Sequence, residues 1–302
     1  MVEVSVVIVC MNRPDILFPC LDSLRARNKV SMETLVVAYG FSEENLESLR
    51  EGYPWVTVVP SDGVRGFSEN NNLALRQAQG RYCFVVNDDT LQEMPVVDRL
   101  VEDLQGLPEN AAAVSPCIRF ADGRIQTCGR APWTARRYFR HYLHLVDETR
   151  PSRWSMQEGL FRTYTLNGAC FLIKTDAFRE AGFFDERYFF TPEDIALGHR
   201  LNELGHTVWT DASVFITHLA GGSVSAMEQA IKPARVRGSM IFYGEPFSLK
   251  VFIWCFEALR AFKYVFLPRS PRNKVMRRTA LNVMKTVFSS LSPKEIFIRF
   301  KP

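Results

Sequence analysis

The run Val4–Cys10 constrains the fold of this chain more than any other feature of its sequence. It is continuous, apolar and largely β-branched (VSVVIVC), which is typical of a strand buried on both faces. Similar short runs follow at residues 35–39, 56–59 and 81–87, and helical stretches separate them. Strands that alternate with helices in this way predict an α/β fold with a doubly wound, mostly parallel sheet.

Turn and capping residues place the remaining elements. Helices are expected at residues 14–27, 42–51, 67–79 and 192–204, strands at 112–116, 163–174 and 207–214, and an irregular stretch at 131–158. Gly80 is interpreted as the stop of the third helix, and Ala121-Asp122-Gly123 as a hairpin turn. In doubly wound sheets ligands bind at the carboxyl ends of the strands, so functional residues are sought after those ends.

Two adjacent carboxylates, Asp88 and Asp89, directly follow the fourth predicted strand. Paired acids just past a buried strand are costly unless they bind a cation or cap a helix. Their oxygens suit Mg²⁺ or Mn²⁺ shared with a substrate phosphate. An N-cap for the helix that begins near Pro95 remains the alternative.

A second acidic pair, Glu193-Asp194, follows an aromatic stretch at residues 183–190. A carboxylate at a helix N-terminus in an apolar cleft can serve as a general base. Thr191 and Asp194 also fit the spacing of a capping box, which explains one acid but not two. Both interpretations stay open on these residues alone.

His218 and an asparagine cluster are weaker signals. His218 follows the last predicted strand and precedes Gly221-Gly222-Ser223, where a ligand or a hinge is useful, although a lone histidine is more often structural. The turn at Arg65-Gly66 leads into a helix start that carries Asn70, Asn71 and Asn72. Backbone N–H groups at such a start favour anions such as phosphate, and ordinary capping is the alternative.

The charge of the chain is distributed unevenly. The total is +4, but residues 226–302 hold 15 Lys and Arg against 4 Asp and Glu. The rest of the chain is therefore acidic. A basic tail on an acidic body indicates an anionic partner, either nucleic acid or a membrane surface, unless it is a helical subdomain with a charged face.

The composition of the tail favours the membrane. Residues 247–266 are long enough to span a bilayer, but they include the charged residues Lys250, Glu257, Arg260 and Lys263. Each of these would cost about 2.5–3.5 kcal/mol at the centre of a membrane helix. These charges fall in one sector of a helix and leave a wide apolar face, as in a helix that lies in a membrane interface or packs on its own body. The basic run Arg269, Arg272, Lys274, Arg277 and Arg278 follows. We find no nucleic-acid recognition motif.

The cysteines indicate a reducing compartment. There are seven, scattered and without a C-x-x-C pair, so neither a disulfide framework nor a zinc site is expected. The start of the chain has no basic region and no small-residue cleavage site, so no secretory signal is expected.

In this order the segments resemble the family 2 glycosyltransferases, which have the GT-A fold. VSVVIVCMNRP resembles the family's first strand and nucleotide loop, and GFSENNNLAL resembles a segment of its rhamnosyltransferase-like branch. VVNDDT resembles the D-x-D-type metal motif, and NGACFLIKTDAFREAGFFDE the acceptor-side segment. TPEDIALGHRLNELGHTV resembles the helix with the catalytic base, and THLAGGS the late histidine motif.

The resemblance implies inverting transfer of a sugar, rhamnose or another deoxy or neutral hexose, from a nucleoside diphosphate donor. The donor is expected to be dTDP- or UDP-linked, and the acceptor a hydroxyl of a glycan or lipid-linked molecule in envelope polysaccharide assembly. Asp194 is implied as the catalytic base, and Asp89 and His218 as ligands of Mg²⁺ or Mn²⁺. We further predict donor-binding residues Cys10, Asn12, Arg13, Tyr39, Arg65, Asn71, Asn72 and Asp88, and acceptor-binding residues Asn167, Gly168 and Glu193.

The chain departs from the family's pattern at two positions. After the second strand the family carries an Asp that contacts the donor's base, and this chain has Ala38 followed by Tyr39. Base recognition is therefore expected from stacking on Tyr39 or from Asn12 and Arg13. The metal motif begins with Asn87 instead of an acid, which removes one negative charge.

We expect a GT-A catalytic domain at residues 1–225 and a helical, membrane-associating tail at 226–302, peripheral on the inner face of the cytoplasmic membrane. The aromatic and basic stretch at residues 133–144 is a candidate surface for an anionic or lipid-linked acceptor. A nucleotidyltransferase remains an alternative, although Met11-Asn12-Arg13-Pro14 is not the Gly-rich basic loop it needs. The second alternative is a non-catalytic relative that binds nucleotide sugars, because Ala38 replaces the family's base-contacting aspartate.

Overall fold

The apolar runs of the first half form the parallel strands that their sequence predicts. The computed structural model describes residues 2–147, 149–219, 227–268 and 270–302. Its strands are β1 (Val4–Cys10), β2 (Met32–Tyr39), β3 (Val56–Ser61), β4 (Tyr82–Val86), β5 (Thr90–Leu91), β6 (Ala111–Phe120), β7 (Ile125–Thr127), β8 (Leu160–Thr163), β9 (Cys170–Lys174) and β10 (Thr207–His218). Its helices are α1 (Pro14–Arg27), α2 (Glu43–Gly52), α3 (Phe67–Leu75), α4 (Val96–Gly106), α5 (Ala135–Tyr142), α6 (Thr175–Glu180), α7 (Glu193–Glu203), α8 (Glu228–Phe242), α9 (Phe247–Phe266), α10 (Pro271–Thr286) and α11 (Pro293–Phe300). The predicted segment Gly221-Gly222-Ser223 and Arg269 lie outside the described residues.

The strands form one mixed sheet over the described residues. Its main path is ordered β3-β2-β1-β4-β9-β6-β10-β5, with β7 paired to β6 and β8 paired to β10. Strands β1 to β4 pair in parallel with one another, and β6 pairs in parallel with β10. Strand β9 lies antiparallel between β4 and β6, so β6 and β10 run in the same direction as β1. The predicted α/β fold with a mostly parallel sheet is confirmed.

The second half differs in detail from its prediction. Residues 163–174 do not form one strand: β8 pairs with β10, whereas β9 pairs with β4 and β6. The connection at residues 164–169 carries Asn167 and Gly168. The stretch predicted as irregular contains α5, whose N-cap Thr134 accepts a hydrogen bond from the Arg137 N–H. Strand β10 continues beyond residue 214 to His218, after a register shift between Asp211 and Phe215.

Burial of their side chains explains why the first strands have continuous apolar sequences. Side chains of β1 and β4 such as Val6, Ile8 and Phe84 are fully buried, as expected for strands covered on both faces. Helix α3 ends at Leu75, four residues before its predicted end, so the interpretation of Gly80 as the helix stop is wrong. Gly80 instead lies against β1, where a Cβ would be 2.5 Å from the backbone nitrogen of Ser5.

The chain divides into two compact units. The first comprises the described residues of Met1–Gly63, Glu69–Asp185 and Asp194–Ala220, and holds the sheet. The second comprises those of Val64–Ser68, Glu186–Glu193 and Gly221–Pro302, and holds α8 to α11. Among the described residues no helix is long and apolar enough to cross a membrane.

The second unit has its own apolar core. Phe189 packs with Ala230, Ala234, Ile296 and Phe297. Helix α8 contacts α10 and α11, and α10 contacts α9. These contacts join the segment Glu186–Glu193 to the C-terminal helices.

Candidate active site

The acids after β4 lie beside the end of β10 because of a short strand pairing. Strand β5 pairs antiparallel with the last residues of β10, and this places His218 opposite Thr90. The backbone N–H of Leu219 donates to the carbonyl oxygen of Asp89 at 2.8 Å. The side chains also meet, with Asp89 Oδ1 3.1 Å from His218 Nε2. The structure therefore brings the two predicted metal ligands into direct contact.

A third residue fixes the orientation of the His218 ring. Gln126, on β7, places its Oε1 2.8 Å from His218 Nδ1. The tautomer that donates Nδ1–H to Gln126 leaves the Nε2 lone pair on the side of Asp89. This tautomer suits a bound cation, because ligating histidines donate their other N–H to a neighbouring acceptor. Sequence reasoning missed Gln126, since only the β6–β7 hairpin brings it to His218.

The donor set fits a hard divalent ion that keeps substrate oxygens. Among the described residues no group of three or more His, Cys, Asp or Glu side chains is placed to hold a metal. Asp89 and His218 would therefore supply two ligands, and water and phosphate oxygens the others. Mg²⁺ is commonly held in this way, by one or two carboxylates together with phosphate oxygens.

Asp88 lies beside the end of β1. Burial, the largest effect, raises the pKa of its carboxyl to about 6, while a hydrogen bond with Cys10 lowers it. The Cys10 thiol also contacts the carbonyl oxygen of Arg13, with Sγ and O 3.6 Å apart. Cys10 and Asp88, both predicted to bind the donor, thus lie together at the carboxyl ends of β1 and β4.

The loop after β1 is held to the start of α2. Asn12 has a left-handed backbone (φ 53), and its Oδ1 accepts from the Ser42 N–H at 3.1 Å and from Asn45 Nδ2 at 2.8 Å. Arg13 is ion-paired with Asp15 at 2.9 Å, and both side chains are more than half exposed. Tyr39 is half-buried at the end of β2. Donor contacts of Asn12, Arg13 and Tyr39 stay predictions.

The asparagine cluster is buried and partly structural. Asn72 mimics a backbone pair: its Nδ2 donates to the carbonyl oxygen of Phe184 at 2.9 Å, and its Oδ1 accepts from the Phe184 N–H at 3.2 Å. Asn71 is buried too. Arg65 is half-buried in the second unit. The donor roles predicted for these three residues stay predictions, and Asn72 also has a structural role.

The candidate base, Asp194, is held by three donors. Its Oδ1 accepts from the Ile195 N–H at 2.7 Å, and its Oδ2 accepts from the Gly168 N–H at 3.0 Å and from Arg130 Nη1 at 2.8 Å. An ionised carboxylate offers about four acceptor positions, so one on Oδ1 remains for a hydroxyl proton. Sequence reasoning missed Arg130, although this cation lies three residues before the aromatic and basic stretch at residues 133–144.

One segment connects the two acidic centres within the first unit. The Asn87 N–H donates to the carbonyl oxygen of Ala169 at 2.9 Å. One residue earlier, Gly168 donates its N–H to Asp194. Asn167 stabilises this turn, because its Oδ1 accepts from the Ala169 N–H at 3.0 Å. The segment at residues 167–169 therefore contacts both Asn87, which precedes Asp88 and Asp89, and the candidate base. Glu193 is buried at the start of α7, next to Asp194 in the chain.

An arginine-lined cavity lies around α5. It has a volume of about 500 Å³ and is lined by four arginines against one acid. The charged lining residues are Arg136, Arg137, Arg140, Arg150 and Asp147. Guanidinium groups bind phosphate and carboxylate oxygens in bidentate geometry. The cavity is therefore suited to an anion.

Comparison with known proteins identifies relatives over most of the chain. The family model described as "Glycosyltransferase like family 2" matches residues 2–235. The chain is 26% identical over 220 residues to O-antigen biosynthesis protein RfbC of Myxococcus xanthus, over 72% of this chain and 17% of that protein. It therefore spans only a small part of RfbC. It is 25% identical over 233 residues to N-acetylglucosaminyl-diphospho-decaprenol L-rhamnosyltransferase of Mycobacterium tuberculosis, over 66% of this chain and 71% of that protein.

Solved structures share the fold at low identity. GalNAc-T7 with UDP, GalNAc and Mn²⁺ has a TM-score of 0.57 at 15% identity, covering 75% of this chain and 46% of that chain. The mannosyltransferase PcManGT from Pyrobaculum calidifontis, in complex with GDP-Man and Mn²⁺, has a TM-score of 0.56 at 14% identity. The match covers 98% of this chain and 78% of that chain. Both are GT-A glycosyltransferases, and the expected GT-A architecture is confirmed.

Proposed function

Because this chain belongs to the glycosyltransferase-like family 2, we propose that it is an inverting glycosyltransferase. It moves a sugar from a nucleoside diphosphate donor to a hydroxyl of a glycan or lipid-linked acceptor. The observation that carries the proposal is the segment at residues 167–169. It contacts Asn87, the residue before Asp88, through Ala169, and it contacts the proposed base Asp194 through Gly168.

Asp194 accepts the proton of the incoming hydroxyl. Gly168 and Arg130 hold its Oδ2, so the carboxylate is oriented before the acceptor arrives and its remaining position on Oδ1 faces the proton. Inversion follows when the hydroxyl attacks from the side of the anomeric carbon opposite the diphosphate. A positioned base contributes about 10²–10⁴-fold to the rate.

Asp89 and His218 are the residues that would hold Mg²⁺ or Mn²⁺. Bound there, the ion would act as a Lewis acid toward the departing diphosphate. Gln126 orients the His218 ring through Nδ1. The presence of Mn²⁺ in the GalNAc-T7 and PcManGT structures supports this choice of ion.

The donor is proposed to be a UDP- or dTDP-linked deoxy or neutral hexose. UDP is bound in the GalNAc-T7 structure, and the mycobacterial relative is named as a rhamnosyltransferase. The donor's base is recognised without the family's aspartate, because Ala38 stands at that position, is buried in β2 and carries no carboxylate. Tyr39, Asn12 and Arg13 are proposed in its place.

The acceptor is proposed to be anionic, a lipid-linked or phosphorylated glycan in envelope polysaccharide assembly. The four arginines of the α5 cavity supply the complementary charge. The names of the two curated relatives, one in O-antigen biosynthesis and one acting on a diphospho-decaprenol, support this class. Asn167, Gly168 and Glu193 are proposed to contact the acceptor. The enzyme is proposed to work peripherally at the inner face of the cytoplasmic membrane, where such acceptors are anchored.

The test is a donor panel with and without Mn²⁺. Purified protein is incubated with UDP-, dTDP- and GDP-sugars, and thermal shift and released nucleoside diphosphate are measured. A ligand specific for the native state at a hundred times its Kd adds about 2.7 kcal/mol of stability, which a melting curve detects. Absence of both donor binding and diphosphate release across the panel would contradict the proposal.

The Asp194→Asn variant tests the base. The substitution preserves shape and removes proton affinity, so turnover should fall about 10²–10⁴-fold, while donor-dependent thermal shift is retained. Asp176→Asn is the matched control, because Asp176 is fully exposed on α6. Unchanged turnover in Asp194→Asn would remove Asp194 from the role of base.

A further inference from the structure

Helix α9 exposes most of its large apolar side chains, although it turns three of its four charged residues, Lys250, Glu257 and Arg260, toward the protein. The side chains that pack inward are Leu249, Ile253, Glu257 and Ala261, at a spacing of four residues. The large apolar side chains that face outward are Phe247, Val251, Trp254, Leu259, Phe262, Val265 and Phe266. Phe262 is 64% and Phe266 73% exposed, with ring centroids 4.9 Å apart. A helix that only covers a protein core carries mainly polar side chains on its outward face.

Ion pairs within the second unit explain why three of the four charged residues of α9 face inward. Glu257 is fully buried and pairs with Lys232 and with Arg260, each at 2.8 Å. Lys250 pairs with Glu245, which also pairs with Arg237 at 2.9 Å. The polar residues of α9 are therefore used in packing. Its outward surface keeps few polar groups, chiefly Ser248 and Lys263.

A basic-rimmed cavity adjoins this surface. It is lined by residues near the end of α9 and the start of α10 and has a volume of about 760 Å³. Tyr264, Val265 and Leu281 contribute apolar lining, and the cations are Lys274, Arg277 and Arg278. These three cations are exposed on α10 and have no ion-pair partner within the part of the chain that the structure describes. The cavity therefore offers an apolar wall and uncompensated positive charge.

We propose that the outward face of α9 and the α9–α10 cavity form one membrane-docking surface for anionic phospholipid. The apolar side chains enter the interface of the bilayer, and a lipid phosphate lies in the cavity against Lys274, Arg277 and Arg278. An interfacial helix combines such an apolar face with nearby cations. This inference rests on the membrane location proposed above and is independent of the transfer chemistry.

Charge favours lipid over a protein occupant. Residues 226–302 carry 15 basic and 4 acidic side chains. An anionic leaflet attracts each cation near its surface with about a fivefold gain in affinity. A face for a second copy of this chain would instead place like charges opposite each other, which is unfavourable for association.

The experiment is co-sedimentation of the full chain with vesicles. Vesicles of phosphatidylcholine alone are compared with vesicles of equal parts phosphatidylcholine and phosphatidylglycerol. We expect binding to the anionic vesicles, weakened by salt, and at least about tenfold weaker binding to the neutral ones. Addition of inorganic phosphate should not displace the protein, because the apolar face contributes as well.

Two variants test the two parts of the surface. Phe262→Ser with Phe266→Ser removes apolar contact, and Lys274→Gln with Arg277→Gln and Arg278→Gln removes charge. We expect a loss of about tenfold or more for the first and about a hundredfold for the second. The matched controls are Ile298→Ser, an exposed apolar residue on α11, and the triple variant Arg235→Gln, Lys285→Gln, Lys301→Gln, which removes three exposed cations elsewhere in the unit. Both controls should bind like the parent chain.

All variants are also checked for folding by melting and for the UDP-dependent thermal shift in Mn²⁺. A variant that keeps the parent melting temperature and loses vesicle binding supports the surface even if no donor binds. Failure of the parent chain to bind anionic vesicles, or full binding by both variants, would overturn it. A dimer that dissociates on Phe262→Ser with Phe266→Ser would also overturn it, since a second copy would then be the occupant.

Discussion

At the scale of single residues, the site depends on side chains that have no sequence signature of their own. Gln126 orients His218 and Arg130 holds Asp194, and each lies more than 60 residues from its partner in the chain. Asp89, Asp194 and His218 could be proposed from the sequence because their residue types and neighbours are typical of metal and base chemistry, and their roles stay predictions. Gln126 and Arg130 were not, because only strand pairing and packing bring them there.

Replacing Gln126 with Met should lower the affinity of the site for Mn²⁺ without unfolding the chain. The His218 ring would lose the acceptor that orients Nδ1–H, and such losses typically cost 10–100-fold in metal affinity. The measurement is the Mn²⁺ concentration that gives half of the UDP-dependent thermal shift, which should rise by about that factor. Gln157→Met, at an exposed position, is the control. An unchanged Mn²⁺ requirement would contradict the orienting role.

Asp103 gives a pH dependence of stability that is unrelated to the site. The pKa of its carboxyl is raised from 3.8 to about 7, first by burial and next by the charge of Asp211. Its Oδ2 is buried and has no hydrogen-bond donor. As the pH rises from about 4 to about 7, the unfolded chain loses this proton before the folded chain does, so the free energy of unfolding falls.

Asp103→Asn should remove that pH dependence. An amide stays neutral and donates to Asp211, so the variant should melt several degrees above the parent at pH 8 and at the same temperature at pH 4. Melting curves across this pH range check the prediction. A constant difference between the two proteins at every pH would show that Asp103 does not titrate in it.

At the scale of elements, some strands and helices are set by their local sequence pattern, whereas others depend on which distant strand they pair with. The β-branched runs specified β1 to β4, and α9 begins and ends where its composition predicts. Residues 163–174 were misread as one strand because both halves have strand-like composition. Their separation into β8 and β9 depends on two different partners, β10 and β4, which the local sequence does not encode.

Glu257→Gln tests the buried charges that orient α9. It would leave Lys232 and Arg260 without their anion, and removal of one partner of a buried pair typically costs 3–5 kcal/mol, so we expect about that loss. The control is Glu203→Gln, whose exposed pair with Arg200 should contribute less than about 1 kcal/mol. Urea unfolding compares the two variants. Equal stability would mean that the buried charges do not hold α9.

At the scale of the whole molecule, the two units do not follow a single cut in the chain. The division of roles between residues 1–225 and 226–302 remains a prediction. The second unit, however, also includes Val64–Ser68 and Glu186–Glu193. Phe189 and Phe190 lie in it, with ring centroids 4.9 and 5.2 Å from that of Phe297.

A chain truncated after Ser225 should therefore be poorly folded. Removal of Phe297 and its neighbours exposes Phe189 and Phe190 to water, and each aromatic side chain loses about 1.5–3 kcal/mol of burial. We expect increased binding of a hydrophobic dye and aggregation in size-exclusion chromatography. The full-length Phe262→Ser, Phe266→Ser variant is the control, and it should remain monodisperse. A truncated chain that melts cooperatively at the parent temperature would contradict this.

The sequence by itself determined the alternation of strands and helices, the family resemblance, the acids of the site and the amphipathic pattern of α9. Each of these depends on residue type and short-range periodicity. Tertiary structure alone decided that β5 meets β10, that Gln126 contacts His218 and Arg130 contacts Asp194, and that three of the four charges of α9 point inward. These features depend on which distant segments pack together, because a buried charge or a free imidazole nitrogen takes its partner from whatever the fold places beside it.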